Sequence, residues 1–213
     1  MTSRAEILAA ARRLIDEQGW EKLTIRQVAA ELGIGATTLY HHVRNKEDLL
    51  LLLITEYANQ IPHPELPEQP RDRIIVAMKA GHDAFAAWPW AAEVVIVDGF
   101  IGRLGDHALW LVEVVLAGAV DYGCTPAQSV YVFRSLWYYT VGEILVRARS
   151  KRDQAAIQGD FDFDARLSSF DPERLPVLAA IGAQWGPLAA EDNFLNGLTA
   201  LVDGLLAQAT ATN

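Results

Sequence analysis

Residues 24–46, TIRQVAAELGIGATTLYHHVRNK, constrain the fold of this chain more than any other stretch. Thr24 suits a helix N-cap, and Gln27 stands three residues later, which predicts a capping box with each side chain satisfying an orphan backbone N–H. Ile25, Val28, Ala29 and Leu32 then recur at helical spacing and make one apolar face. Gly33 follows where a helix end favours a left-handed residue. Ile34 is apolar in the turn and is placed to plug the angle between two helices. The next helix is predicted over roughly residues 35–43, with Leu39 and Val43, four apart, facing inward. Its other faces carry Ala36, Thr37, Thr38, Tyr40, His41 and His42. Asn45 caps a third helix, with Lys46 in its first turn and the apolar run 49–54 behind it. A lysine is unfavourable at a helix N-terminus on dipole grounds, and a nearby phosphate would compensate. Two short helices across a tight turn, the second opening on small and hydroxyl residues, are how a helix-turn-helix presents a reading face to the DNA major groove.

The candidate DNA contacts follow. Arg26 lies off the apolar face of its helix; it either reaches a guanine edge, clamps a phosphate, or is a solvated helix charge. Ala36, Thr37 and Thr38 open the reading helix, where methyl groups can touch thymine and hydroxyls can bond bases or phosphates. His41 is assigned to a base or the backbone, and His42 to packing or a phosphate. Thr24 adds a phosphate contact through its hydroxyl or N–H, although capping alone explains it. The adjacent histidines do not make a metal site, because neighbours on a helix point apart and no third ligand is near.

The chain carries a net charge of −9, unusual for a nucleic-acid partner. Its distribution softens the objection: residues 1–50 hold seven Lys/Arg and seven Asp/Glu, so all the excess acidity lies beyond them. A neutral head can bind phosphate if its cations share a face, while an acidic body opposes loose binding. With 213 residues, 51% of them hydrophobic, a real core is available. The single Cys124 excludes an internal disulfide and suits the reducing cytoplasm, where the protein is expected. The first twenty residues carry acidic groups and read as an amphipathic helix, not a signal peptide. The runs at 49–54 and 94–97 are too short to span a bilayer, so no membrane role is expected.

The remainder reads as helices with short breaks, and no segment alternates at period two. Prolines 62, 64, 67 and 70 mark a stiff connector. The expected domains are 1–48 and 49–213, joined through a boundary helix over about 46–60. Further helices are predicted over residues 71–87, from Pro89 to near Gly99 or Gly102, over about 106–122 stopped by Gly123, and from Thr125 to about 151. Residues 153–170, including DFDFD, read as a mobile loop. Asp171-Pro172 is expected to open a shorter helix, and the last helix to run over about 191–209. The helices at 125–151 and 191–209 carry apolar stripes too wide for one-sided packing, including Val130, Phe133, Trp137, Leu195, Leu198 and Leu206, with Gly197 and Gly204 allowing close approach. They serve either a partner subunit or the chain's own core.

The segment ILAAARRLIDEQGWEKLTIRQVAAELGIGATTLYHHVRNKEDLL, residues 7–50, resembles the tetracycline-repressor (TetR) family: capping box, turn glycine, TLY and NK at fixed spacing. FLNGLTALVDGLLAQ, residues 194–208, is similar to the last helix of the tetracycline-repressor subgroup. The resemblance implies an all-α fold, with an N-terminal three-helix DNA-binding head and a C-terminal ligand-binding and dimerisation part. It implies that Tyr40 and Lys46 bind phosphate through phenol and ammonium. It implies a homodimer through helices 125–151 and 191–209, reading a palindromic double-stranded operator. It also implies a small molecule of unknown identity that enters a cavity among the middle helices and releases the DNA. Candidate cavity residues are His82, Phe85, Trp88, Phe100, Trp110, Arg134, Trp137, Tyr138 and Glu143, with Met78 and Asp98 beside them. Aromatic residues at helical spacing equally suit a core; Arg134 and Glu143 could instead pair across a dimer.

Residues 94–103 hold no clear equivalent of the metal-binding histidine of the tetracycline-binding members, so neither magnesium-tetracycline nor any other cofactor is expected. Apolar, aromatic or lipid-like inducers suit the composition better. No Gly-rich phosphate loop, nucleophile elbow or His/Glu metal pair appears, and no catalytic residue is assigned. A repressor released by its ligand is thus the expected function. The alternative is a constitutive or co-ligand-dependent DNA-binding activator or structural regulator without an inducer.

Overall fold

The computed structural model describes residues 2–96, 99–157, 166 and 169–211, the side chains of 152–157 excepted. Every regular element among them is helical. The chain opens with α1 (Arg4–Gln18), which starts on a full capping box: Glu6 N–H donates to Ser3 Oγ at 3.2 Å, and Ser3 N–H to Glu6 Oε2 at 2.7 Å. Gly19 ends it at φ 87°, and a 3-10 turn over Trp20–Lys22 follows. Next come α2 (Ile25–Glu31), α3 (Ala36–Tyr40) and α4 (Lys46–Ala58). The body comprises α5 (Pro70–Ala87), α6 (Pro89–Val94), α7 (Asp106–Tyr122), α8 (Pro126–Ile157), α9 (Pro176–Ile181), α10 (Trp185–Ala190) and α11 (Phe194–Ala211).

Two hydrophobic cores form, and α4 enters both. Ile7, Ala11, Val28, Leu39, Val43 and Leu49 are the centre of the head core, each almost fully buried. Farther along α4, Leu53 still belongs to the head, whereas Ile54 packs with Ile74, Met78 and Val115 of the body. Trp90 and Val94 of α6 also lie against both cores. A helix shared in this way transmits any shift of its body end to the head, because close-packed side chains do not stretch. Within the body, α5 packs against α7, α8 and α11. Gly118 lets α7 approach α5 closely: a Cβ there would stand 2.7 Å from Ile74 Cγ1 and 3.1 Å from the Pro70 carbonyl oxygen.

Several boundaries differ from the sequence expectation, each for a local reason. The capping box at Thr24 is only half made: Gln27 N–H donates to the threonine hydroxyl at 3.2 Å, but the Gln27 side chain bonds that same hydroxyl and Gln18. The reading helix is shorter than 35–43, although Val43 still faces inward. The helix after Trp88 stops at Val94, not near Gly99 or Gly102, consistent with the low helix propensity of the β-branched run that follows. Helix α8 takes in residues 152–157, which are rich in good helix formers, where the start of a loop was expected. The DFDFD stretch lies outside the described residues. Asp171-Pro172 opens a single turn, with Asp171 Oδ1 accepting Glu173 N–H at 2.9 Å. The turn cannot propagate because Leu175 precedes Pro176 and adopts φ −133°, ψ 60°. The last helix starts at Phe194, whose N–H is taken by the Asp192 carboxylate. Gly197 approaches Tyr139 of the same chain, where a Cβ would clash with the phenol oxygen.

Candidate nucleic-acid interface and ligand cavity

The turn between α2 and α3 is a Schellman motif. Gly33 N–H donates to the Ala30 carbonyl and Ile34 N–H to the Ala29 carbonyl, both at 3.0 Å, with Gly33 at φ 65°. Ile34 packs half-buried onto the head core and holds the angle. Leu39 is fully buried, which fixes the rotation of α3 about its axis. Thr37, Thr38, Tyr40, His41 and His42 are therefore exposed, with Ala36 half-buried at the helix start. Thr37, Tyr40 and His41, three and four residues apart, share one face. The Tyr40 side chain is 52% exposed, and its hydroxyl has no partner among the described residues.

The head's cations are unevenly engaged. Arg13 pairs with Glu31 at 3.1 Å, Arg44 with Asp48 at 2.8 Å, and Arg12 reaches Asp16 at 4.0 Å. The Arg44 side chain and backbone N–H hold the Asp48 carboxyl below the usual carboxylate range. Arg26 is exposed and makes no ion pair among the described residues. Asn45 caps α4 as expected, accepting Asp48 N–H at 2.8 Å. Lys46 departs from expectation. Its ammonium donates to the Glu21 carbonyl at 2.7 Å and lies 5.2 Å from the Trp20 ring centroid, so the protein itself compensates the cation at the start of α4. Thr24 is exposed and serves its cap.

A cavity of about 110 Å³ lies between α4, α5, α7 and α8. Phe85, Phe100, Trp110 and Trp137 line it as expected. Trp88 stands behind the wall, stacked at 3.9 Å on Tyr57, which does line it. The other candidates lie elsewhere. Met78 is fully buried in the body core. His82 Nε2 bonds Glu143 Oε2 at 2.9 Å, joining α5 to α8 at a different, polar cleft. Arg134 and Tyr138 pair with each other on the exposed side of α8, with Nε and Oη 3.1 Å apart. Asp98 lies outside the described residues. The charged residues His82, Glu143 and Arg134 thus have partners within the chain.

Sequence reasoning missed Tyr57, His63 and His107. His63, in the proline-rich connector, is sandwiched with His107 at 3.8 Å and Trp110 at 4.1 Å between ring centroids. Burial, with the adjacent His107, holds the His63 imidazole below its ordinary range. Among the described residues no Asp, Glu, Lys or Arg lines this cavity. Small residues line it, Ala80, Ala84 and Ala108, while Gly81 lets the Leu111 side chain pack close. Among the described residues no three His, Cys, Asp or Glu side chains converge to hold a metal, and no helix is long and apolar enough to cross a membrane.

Comparison with known proteins agrees with this architecture. The chain is 27% identical over 214 residues to the class C tetracycline repressor protein of Escherichia coli, covering 99% of this chain and 93% of that one. The Streptomyces coelicolor TetR family protein ActR, solved in complex with actinorhodin, shares the fold with a TM-score of 0.80 at 24% identity, covering 100% of this chain and 99% of that one. BioQ, solved with its double-stranded DNA operator, shares it with a TM-score of 0.66 at 22% identity, covering 97% and 99%. Residues 7–53 match the family described as bacterial regulatory proteins, tetR family, and residues 63–209 match the tetracyclin repressor-like C-terminal domain. With head and body both matched, the chain belongs to the tetR family of DNA-binding transcriptional regulators.

Proposed function

We propose that the protein is a homodimeric repressor that leaves its operator when an uncharged, flat, largely apolar molecule fills the cavity between α4, α5, α7 and α8. The observation that carries this reading is the position of α4: Ile54 and Tyr57 form cavity wall, while Leu49 and Leu50, one turn earlier, are head core. A ligand that fits the cavity only when α4 is displaced binds one state better and shifts the population away from the DNA-competent one. A body packed solid would favour the constitutive alternative; the hollow favours a sensor. The aromatic wall, uncharged among the described residues, selects against ions and for planar rings, which suits the stacked imidazoles and indoles.

On the DNA side, Thr37, Thr38, Tyr40 and His41 meet the operator, with Tyr40 on a phosphate, Arg26 on a phosphate or base edge, and Thr24, Ala36, His42 and Lys46 at the margin. The two reading heads are brought together by α8 and α11. Those helices bury Phe133, Leu136, Leu198 and Val202 in their own chain. Tyr131, Arg134, Tyr138 and Gly142 remain as an exposed stripe on α8, and Ala200, Gly204 and Ala207 as an exposed small-residue stripe on α11. An aromatic ridge and a small-residue groove suit a two-fold four-helix contact. The setting for such a regulator is the cytoplasm.

The test is binding to DNA flanking the gene, at two salt concentrations, followed by release with a panel of neutral polycyclic aromatics. Operator binding that falls steeply with salt supports the regulator reading. An Ala108→Trp variant, which fills the hollow, should still bind the operator and no longer respond to the releasing compound. Equal release of the variant would overturn the cavity assignment.

A further inference from the structure

Lys46 opens α4, the helix that follows the reading helix, and its side chain rests on the 3-10 turn Trp20–Lys22. The ammonium donates to the Glu21 carbonyl at 2.7 Å and lies 5.2 Å from the centroid of the Trp20 ring. Both partners are uncharged. Other cations of the head are held differently: Arg12, Arg13 and Arg44 face the carboxylates of Asp16, Glu31 and Asp48. A carboxylate neutralises its cation and competes with any phosphate that approaches. A carbonyl and an indole face fix the direction of an ammonium and leave its charge in place. An ammonium has three donors, so one carbonyl does not exhaust it.

Such a seat works only if the ring itself is fixed, and Trp20 is fixed from two sides. It packs half-buried against the head core. Its Nε1–H donates to Glu93 Oε2 at 2.9 Å, on α6 of the body. Glu47, next to Lys46, pairs with Arg103 at the end of the 3-10 turn Phe100–Arg103, and Phe100 of that turn lines the apolar cavity. The first turn of α4 and its lysine are thus tied to the body at two points that bypass the length of α4.

A lysine free in solution loses rotamer freedom when a phosphate immobilises it, and that cost subtracts from the contact. A lysine already held loses less. Granted the place of Lys46 at the margin of the DNA contact, on which this inference rests, we propose that Trp20 is a positioning residue for DNA binding: anchored on the body through Glu93, it holds the Lys46 ammonium, un-neutralised, in place for a backbone phosphate. A displacement of α6 then moves the seat as well as α4.

The experiment uses the full chain and a short duplex of mixed sequence, because a phosphate contact carries no sequence information. Affinity is read by fluorescence anisotropy over a range of salt, with a melting curve for each variant. Lys46→Gln should lower the slope of log affinity against log salt by about one for each head on the DNA. Trp20→Leu should leave that slope unchanged, since the charge remains, and weaken binding about threefold for each head. In the Lys46→Gln background Trp20→Leu should cost nothing further. Trp20→Phe, which keeps a ring under the ammonium and perturbs the core less, should recover part of the loss. An equal loss from Trp20→Leu in both backgrounds would make Trp20 a support of the head fold alone and overturn the proposal. An affinity indifferent to Trp20→Leu, a phenylalanine variant no better than the leucine one, or a native slope in Lys46→Gln would overturn it too. Each of these results leaves duplex binding by the native chain intact, whereas no duplex binding by the native chain at low salt would overturn the DNA assignment and the seat together.

Discussion

Replacing Tyr40 by Phe isolates one DNA contact without disturbing the fold. The side chain is 52% exposed and its hydroxyl has no partner among the described residues, so the folded protein loses nothing when the oxygen goes. On the operator, the phenol is assigned to a phosphate oxygen. Water can reoccupy that oxygen once the hydroxyl is removed, so the net loss is that of an ordinary hydrogen bond, about 1 kcal/mol. Two subunits lose about 2 kcal/mol together, which is roughly thirtyfold in operator affinity. Because no charge is removed, the slope of log affinity against log salt should not change. Because a phosphate contact carries no sequence information, the loss should be the same on every single-base operator variant. Fluorescence anisotropy on a panel of such variants at two salt concentrations, with a melting curve of the free protein, measures all three quantities. A loss confined to one base position would place Tyr40 on a base edge and refute the assignment. A lowered melting temperature would show that the hydroxyl supports the fold.

Gly33→Ala tests the turn. A Cβ at Gly33 would meet nothing within 4 Å, so the cost is that of placing alanine at φ 65°, about 1–2 kcal/mol. That corresponds to roughly 2–8 °C in melting temperature, and Gly33→Asn should recover much of it; an unchanged melt of the alanine variant would mean that the turn tolerates another backbone conformation. Gly204→Trp tests the dimer face, since nothing lies within 4 Å of its Cβ in the chain itself. Sedimentation should report monomers with unchanged helical circular dichroism, and persistence of dimers would move the interface elsewhere. Arg71 holds Asp203 at 2.5 Å and pins the start of α5 to α11, and this bond keeps the Asp203 carboxyl below its usual range. A depressed carboxyl stabilises the fold above its unfolded value, near pH 4, and the contribution vanishes as pH falls through the lower folded value. Melting temperatures of the native chain and of Asp203→Asn should therefore differ at neutral pH and converge in acid, and a gap that widens on acidification would contradict the pairing.

The parts legible in sequence are those decided by one residue and its near neighbours. Asn45 and Thr125 cap their helices because a short polar side chain reaches the third N–H on. Gly33 and Gly123 end theirs because a left-handed φ excludes most other residues. Leu39 and Val43 are inside because four residues is one helical turn. The parts that were not legible depend on what another helix brings. His82 and Glu143 look like ligand groups on apolar helices until the packing of α5 on α8 sets them 2.9 Å apart. Gly197 suits a subunit contact equally well until Tyr139 is found against it. The cavity is harder still, because it is made by missing bulk. Ala80, Ala84 and Ala108 hollow the body, yet in a helix they read as unremarkable small residues. Aromatic residues therefore indicate where a wall stands, and only the small residues facing them across another helix decide whether there is room behind it.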